Sequence, residues 1–427
     1  MLAFTARRGA RDAGWSLAGT VATAALGVGT TILLARSLGP AGFGTVAVAL
    51  AIVFTVAGLS DLGFSVAFVR LGSPEIMGGR DIRHLHTIFL GLRVGVALTI
   101  ALGVTLAGRW ILPSLQLPPG MPWLAAAAAA CGVAMAAGAH YVSVLQVVRD
   151  QRSLAVTRSG LAAARLATYA TLAVAGGLTI TAALAVTLIA VAAEAGAMYW
   201  TSHRTVPLWP PILRKPPGEW LTFSVWMAVP AVAYALVGQS DTLLLSALSG
   251  VTETGIWNAA ARVSGVLLLA SGAAWSVALP YATAIIEHQQ LKRYLRLVRN
   301  GALVLAAAAA AGIWLAPWIV EVLYGTRYTS AAGVLRVLLA ANVIGSVNLL
   351  LVPVGLRLGH TRLVAMVGVV EFAVNLGGDL LWIPRYGAMG SAAATLLMHV
   401  AGAGVLAAGI ALTLRRRGGD ALATHIG

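Results

Sequence analysis

Acidic and amide side chains recur at helical spacing within an apolar stretch near the C-terminus. Glu371, Asn375 and Asp379 stand at i, i+4 and i+8, which puts them on one face of a helix. A carboxylate in apolar surroundings costs free energy unless it has a partner or contacts water, and burial favours its protonated form. The stripe therefore predicts either a site that takes up a proton or a cation, or hydrogen bonding between helices.

Two further aspartates lie within apolar stretches. Asp241, in GQSDTLLL, shares a helix face with Tyr234, seven residues earlier. It is interpreted as an ion-coupling residue, or as a helix anchor or a partner for an arginine. Asp61 lies near the end of another stretch, where ion coupling, a helix cap and a salt bridge to an arginine all fit.

Arginines also occur within apolar stretches. Arg165 is about ten residues from the nearer end of its stretch, too deep for its side chain to reach water easily. Arg262 follows Asn258 by one helical turn. A guanidinium group can donate two parallel hydrogen bonds to an anion, so these residues predict an anion-binding cavity. The alternative for Arg262 is a side chain that extends to the membrane surface, which is also what we expect of Arg93.

The chain that must position these residues has 427 residues, of which 59% are hydrophobic and only 10% are charged. Soluble domains carry about 25% charged residues, and a soluble core of this size could not bury so much apolar surface. A window of about 20 residues finds about twelve apolar segments long enough to cross a bilayer. The sequence predicts an all-α, polytopic membrane protein with about 12 transmembrane helices. The segments are 14–35, 45–69, 87–107, 122–146, 155–176, 178–200, 221–247, 255–283, 300–324, 331–354, 363–383 and 388–413.

The basic residues lie almost entirely on one side of these segments. Of the 29 Lys and Arg residues, 20 lie at the termini or after even-numbered segments and 4 lie on the opposite side. Such a bias marks the cytoplasmic face. The net charge of +15 therefore predicts orientation and gives no reason to expect nucleic-acid binding. We expect a multi-pass protein of a bacterial-type plasma membrane with both termini in the cytoplasm.

A shift of 211 residues relates the two halves of the chain. It pairs Gly39 with Gly250, Gly44 with Gly255, and Gly176 with Gly387. Six segments in each half would give both halves the same orientation, related by a pseudo-twofold axis along the membrane normal. We predict a six-helix lobe over 1–205, a cytoplasmic linker over 206–219 and a second six-helix lobe over 220–427.

The sequence lacks the features that most enzymes and pumps require. It has no G-x-x-x-x-G-K-[ST] phosphate loop, no metal-ligand spacing and no nucleophile paired with a base. The single Cys131 can form no internal disulfide. We therefore expect no enzyme activity and no cofactor, with proton or sodium coupling as the energy source.

Four stretches carry a family resemblance: ARSLGPAGFG from Ala35, DLGFSVAFVR from Asp61, DTLLL from Asp241 and IPRYGAMGSAAAT from Ile383. In this order and at this spacing they resemble the oligosaccharide flippases. These polysaccharide biosynthesis proteins belong to the multidrug/oligosaccharidyl-lipid/polysaccharide (MOP) exporter superfamily. The similarity covers nearly the whole chain.

The resemblance implies a transporter that moves lipid-linked oligosaccharides, carried on a polyprenyl diphosphate, to the outer leaflet by alternating access. Its implied partners are that glycan, the lipid bilayer and the glycosyltransferases or polymerase of the same pathway, and the transporter itself is expected to be a monomer. The candidate cavity residues are Arg165, Arg262, Asn258, Tyr234 and Asn375, with the two arginines holding the diphosphate. The candidate ion-coupling residues are Asp241, Glu371, Asp379 and Asp61.

Three other functions fit part of the sequence. A multidrug antiporter of the same superfamily (MATE-type) also has twelve spans, but many carry an acidic residue in the first span and this chain has none there. A membrane-embedded glycosyltransferase or polymerase needs catalytic carboxylates on large outer loops, where Glu253 is the only acid that clearly lies. The third alternative is a scaffold subunit of a glycan-assembly complex.

Overall fold

The computed structural model describes residues 2–118, 120–206, 208–212, 220–283, 288–357 and 361–423, some of them, such as Tyr234, by their backbone alone. These ranges contain α-helices and one short 3-10 turn, and no strand. The predicted all-α class is therefore confirmed. The helices are α1 (Leu2–Leu59), α2 (Phe64–Met77), α3 (Arg83–Ser114), α4 (Leu124–Val147), α5 (Gln151–Val174), α6 (Ile180–Thr205), α7 (Trp220–Ser249), α8 (Val251–Thr283), α9 (His288–Tyr324), α10 (Ala331–Arg357) and α11 (Thr361–Ala423).

Several helices have the length and composition of membrane spans. Within the described ranges, 8 helices are long and apolar enough to cross a membrane. Two of them, Gly14–Leu59 with 46 residues and Met366–Gly409 with 44, are about twice as long as one crossing requires. Each of these two contains a backbone break, which divides it into two arms. The total of twelve spans stays a prediction.

Glycines form the breaks in α1 and α11. Gly39 has a φ of 69° and Gly387 a φ of 52°, a left-handed conformation that glycine adopts without the penalty of a side chain. The residues that the 211-residue shift pairs with them, Gly250 and Gly176, also have positive φ angles, 89° and 69°. The shift therefore matches backbone conformation as well as residue type.

The chain just after the first break packs against the start of α8. A Cβ atom on Gly44 would overlap the carbonyl oxygen of Val251, and one on Gly255 would overlap the carbonyl oxygen of Pro40. The 211-residue shift converts Pro40 into Val251 and Gly44 into Gly255, so the two contacts are equivalent. Two repeats related by a twofold axis make such a reciprocal contact where the axis passes between them. The pseudo-twofold symmetry of the two halves stays a prediction.

The chain divides into two compact units, Met1–Gly255 and Ile256–Gly427. In the first unit, α4 packs against α1, α3 and α6. Small residues make this close packing possible: Ala128 and Ala136 are fully buried, and a Cβ on Gly132 would lie 2.6 Å from Cβ of Val56. The predicted lobe boundaries stay a prediction, and residues 207 and 213–219 of the predicted linker lie outside the described residues.

In the second unit, the two arms of α11 pack against each other as an antiparallel hairpin. Gly378 contacts Ala394, Gly402 contacts Glu371, and Gly409 contacts Leu363, all at positions nearly equidistant from the break. The helix α10 packs against α11. This arrangement brings side chains from three helical segments together at the level of Glu371.

Candidate functional site

A cluster of polar side chains joins α10 to both arms of α11. Asn348 Nδ2 donates a hydrogen bond to Glu371 Oε1 at 3.3 Å and another to the His399 carbonyl oxygen at 2.9 Å. His399 Nδ1 lies 3.5 Å from the same Glu371 Oε1. The side chains of His399 and Glu371 are 17% and 23% exposed, so the pair is largely enclosed without being sealed.

Two glycines make room for this pair. A Cβ atom on Gly402 would overlap the Glu371 carboxylate, and one on Gly345 would lie 2.8 Å from His399 Nε2. Real Cβ atoms do not approach other atoms so closely, so a larger residue at either position would displace the acid or the imidazole. The helices are thus shaped around both side chains.

The predicted stripe continues from this cluster along the first arm of α11. Asn375 is 1% exposed and Asp379 is fully buried. The structure therefore places Glu371, Asn375 and Asp379 on one helix within one unit, as their spacing predicts. Their role in ion coupling stays a prediction.

The cavity candidates of α8 differ in their exposure. Asn258 is 9% exposed, whereas Arg262, one turn later, is exposed. The hydroxyl of Tyr324 donates to the Ala259 carbonyl oxygen at 3.2 Å, and the charge of Arg262 is close enough to interact with this tyrosine. Arg262 is therefore accessible on this unit, next to a buried tyrosine.

In the first unit, α5 carries Arg165 on a half-buried face. Its Nε atom is buried and has no hydrogen-bond acceptor among the residues that the structure describes. Arg158, two turns earlier, lies with its Nε 3.4 Å from Glu194 Oε1. Tyr169, one turn later, is buried, and its hydroxyl hydrogen-bonds Thr187 at 2.6 Å. Arg158 Nε likewise makes no hydrogen bond to the described residues, but it has the Glu194 carboxylate beside it. Of the two arginines, Arg165 is thus the one without an ion-pair partner in the described ranges.

Asp61 lies in the short turn between α1 and α2, where it contacts Arg93 of α3. Arg93 Nη1 is 2.8 Å from Asp61 Oδ1 and donates to Ser65 Oγ at 2.6 Å. The backbone N–H of Ser65, in the first turn of α2, also donates to Asp61 at 3.2 Å. The expectation that Arg93 extends to the membrane surface is wrong, because its side chain is 5% exposed and paired inside the unit.

Two candidates on α7 complete the predicted set. Asp241 is 9% exposed, next to the buried Thr242, so the structure places its carboxylate inside the first unit. The side chain of Tyr234 lies outside the described residues. Of the predicted candidates, four belong to the first unit and five to the second: Asp61, Arg165, Tyr234 and Asp241, and then Asn258, Arg262, Glu371, Asn375 and Asp379.

Three residues of these clusters were not identified from the sequence. Asn348 and His399 were not named, and Arg93 was expected at the membrane surface and not in a buried ion pair. A signal for His399 exists, because Glu371 and His399 are equidistant from Arg385, two residues before the break at Gly387. A hairpin centred there brings the two together. No comparable signal identifies Asn348, because its position depends on how α10 packs.

Two acidic residues, Glu75 in the last turn of α2 and Asp81 in the connection to α3, lie outside the predicted spans and are paired with arginines. The side chain of Arg80 donates to Glu75 at 2.5 Å, which lowers the pKa of Glu75. Burial raises the pKa of Asp81, but hydrogen bonds from the backbone and side chain of Arg83 outweigh burial and lower it. These acids offset part of the basic charge at this end of the protein.

Comparison with known families agrees with the resemblance. Residues 10–285 match the model of a family described as polysaccharide biosynthesis protein. The chain belongs to the polysaccharide biosynthesis protein family. The match includes Asp61, Arg165, Asp241 and Arg262, and it ends before the Glu371 cluster. No curated protein matches the sequence.

Solved structures of MOP superfamily transporters share the fold. The lipid II flippase MurJ in an inward closed conformation has a TM-score of 0.70 and 15% identity, over 91% of this chain and 85% of that chain. A MATE family multidrug resistance transporter in an inward-facing conformation has a TM-score of 0.69 and 14% identity, over 92% and 95%. A MOP superfamily transporter from Pyrococcus furiosus has a TM-score of 0.64 and 14% identity, over 95% and 94%. Family and fold together identify a multi-pass membrane protein with the transporter fold of this superfamily.

Proposed function

We propose that the protein is a flippase that translocates lipid-linked oligosaccharide across the plasma membrane for cell-surface polysaccharide biosynthesis, by alternating access. The observation that carries the proposal is the match of residues 10–285 to the polysaccharide biosynthesis protein family. The basic bias of the even-numbered loops supports a cytoplasmic position for both termini, on the side where the substrate is assembled.

Arginine side chains support a diphosphate-carrying substrate. The buried Nε of Arg165 lacks an acceptor within the described ranges, and an unsatisfied buried donor is costly. A phosphate oxygen would satisfy it, and the guanidinium fork would add a second parallel hydrogen bond. Arg262 with Asn258 supplies an accessible cation on the second unit. We propose that the two arginines hold the diphosphate while the polyprenyl chain stays in lipid.

Buried acids supply candidates for ion coupling. Asp241, Asp379 and Glu371 lie within helices where a bound proton or sodium ion would change the charge of a poorly solvated group. Asp61 has a structural alternative, because it is already paired with Arg93. The ion can shift the transporter between states only by as much as its affinity differs between them. We propose that the free energy for translocation comes from such an ion gradient.

Arg165→Ala and Arg262→Ala should each strand lipid-linked glycan in the inner leaflet. Loss of a hydrogen bond between charged groups costs about 1.5–3 kcal/mol, which corresponds to roughly a tenfold or greater rise in the substrate concentration for half-maximal transport. The measurement is translocation of a polyprenyl-diphosphate oligosaccharide in proteoliposomes, read as its accessibility to an added glycosidase. Arg165→Lys should retain part of the activity, because it keeps the charge and loses the fork.

Arg109→Ala is the matched control, because Arg109 is exposed and stacks over Trp110 at 3.9 Å. Wild-type activity in both cavity variants would remove the two arginines from the site. If the wild-type protein moved lipophilic cations and left the glycan in place, the multidrug antiporter function would replace the flippase.

A further inference from the structure

We infer that Glu371 and His399 form a proton-binding dyad that couples transport to a proton gradient. The inference rests on the proposed transport function and names its coupling ion. Glu371 comes from the first arm of α11 and His399 from the second, and His399 Nδ1 lies 3.5 Å from Glu371 Oε1. The position of His399 makes this a two-residue site, whereas the sequence alone indicates only the acid.

The geometry leaves a place for one proton. His399 Nδ1 makes no hydrogen bond in the part of the chain that the structure describes, although Glu371 Oε1, an acceptor, lies 3.5 Å from it. When a proton from water binds Nδ1, the N–H can donate to the carboxylate and form an imidazolium–carboxylate hydrogen bond. When that proton leaves, the Nδ1 lone pair faces carboxylate lone pairs and the attraction is lost.

The ligand set favours a proton over a metal ion. Hard cations such as sodium prefer several oxygen ligands, whereas the polar atoms beside the carboxylate here are two nitrogens, Asn348 Nδ2 at 3.3 Å and His399 Nδ1 at 3.5 Å. Asn348 Nδ2 already donates to Glu371 Oε1, so this amide presents a donor to the shared oxygen. Within the described residues, no group of three or more His, Cys, Asp and Glu side chains could hold a metal ion.

The surroundings of the dyad contribute little other charge. The helix α10 presents the neutral Asn348 and Gly345, and the second arm of α11 presents Gly402. Along the first arm, Asn375 and then Asp379, two turns away, are the next polar groups. In the described ranges, the ion-pair partner of Glu371 is His399, and no Lys or Arg pairs with it. The charge of the dyad is therefore set mainly by its own proton.

The dyad sits where its protonation can affect helix packing. It connects the two arms of the hairpin. Because Gly402 and Gly345 have no side chains, there is room for Glu371 beside Gly402 and for His399 beside Gly345. Binding of the proton draws the arms together through the Nδ1–H to Oε1 bond, and release removes that bond. A proton gradient can then bias the conformational equilibrium by the difference in proton affinity between the two states.

The first test needs no glycan. Infrared difference spectra of the purified full chain in lipid, between about pH 5 and about pH 8, where histidine changes charge, should show imidazole and carboxylate bands that respond together. Glu371→Gln should remove the pH-dependent carboxylate bands from the difference spectrum. His399→Gln should remove the imidazole bands and change the carboxylate bands. Glu321→Gln, at an exposed acid of α9, should leave both unchanged. Spectra of Glu371→Gln identical to wild type would overturn the inference.

The second test measures coupling. An imposed proton gradient should change the wild-type translocation rate by about tenfold, a usual magnitude for coupling between sites. In Glu371→Gln and His399→Gln the gradient should change the translocation rate by less than about twofold, whereas in Glu321→Gln it should change the rate as much as in the wild type. A wild-type chain that transports without regard to the gradient contradicts the dyad and leaves the flippase proposal standing. A chain with pH-dependent dyad bands and no glycan transport contradicts the flippase proposal instead.

Discussion

Asp61→Ala is expected to lower the free energy of unfolding by about 3 kcal/mol or more, because it leaves the charge of Arg93 buried without its counter-ion. Arg93 is 5% exposed, and its contacts with Asp61 at 2.8 Å and Ser65 at 2.6 Å hold it inside the first unit. The same substitution removes the acceptor of the Ser65 backbone N–H in the first turn of α2, a hydrogen bond worth about 1 kcal/mol. The measurement is thermal unfolding in lipid nanodiscs, with the midpoint compared between variants.

Asp81→Ala provides the matched control. Asp81 pairs with Arg83 at 2.6 Å, but its side chain is 44% exposed, and an exposed pair contributes less than about 1 kcal/mol. Arg93→Met combined with Asp61→Ala should recover most of the loss, because no charge then remains buried. Equal unfolding midpoints for Asp61→Ala and Asp81→Ala would contradict the structural role. Normal coupled transport by the double variant would show that Asp61 is an anchor and does not carry the coupling ion.

The helical, membrane-spanning character of the chain could be predicted from composition, because a helix satisfies its own backbone polar groups in lipid and needs about 20 apolar residues to cross the bilayer. The ends of the helices could not be predicted as well. The segment 45–69 is continuous in hydropathy, yet α1 ends at Leu59 and α2 begins at Phe64. Between them Leu62 and Gly63 have positive φ angles, and a window of about 20 residues averages over such a four-residue break.

The candidate site was predictable where it depends on one helix. The spacing of Glu371, Asn375 and Asp379 gives their shared face directly from the helical period. Contacts between helices depend on packing that the sequence does not specify locally. Depth within a span suggested that Arg93 would reach the surface, whereas tertiary packing pairs it with Asp61, 32 residues earlier.

Glycines were informative in a different way. The 211-residue shift was found from a few identities, and the paired glycines prove to share positive φ angles or close backbone contacts. Where a side chain cannot fit, only glycine is tolerated. Such positions therefore remain identical in the two repeats and reveal the repeat, although most other paired positions differ in residue type. The shift pairs Gly44 with Gly255 and Pro40 with Val251, but their reciprocal contact depends on helix packing and is evident only in the structure.

Gly44→Ala and Gly255→Ala are each expected to destabilise the protein by about 1–3 kcal/mol, because the added Cβ meets backbone carbonyl oxygens that cannot move independently. The contact is reciprocal, so the two single variants should have similar effects. The double variant should lose less than the sum, since one displacement of the helices relieves both overlaps. Thermal unfolding of the four proteins, wild type included, measures this cycle.

Gly27→Ala is the control on the same helix, because nothing lies within 4 Å of a Cβ placed there. In a helix interior, alanine is favoured over glycine by about 0.5–1 kcal/mol, so this variant should be as stable as the wild type or more so. If Gly44→Ala matched Gly27→Ala, the close contact between the two repeats would not exist in the folded protein. Fully additive losses at Gly44 and Gly255 would mean that the two overlaps are independent, which contradicts a single contact shared across a twofold axis.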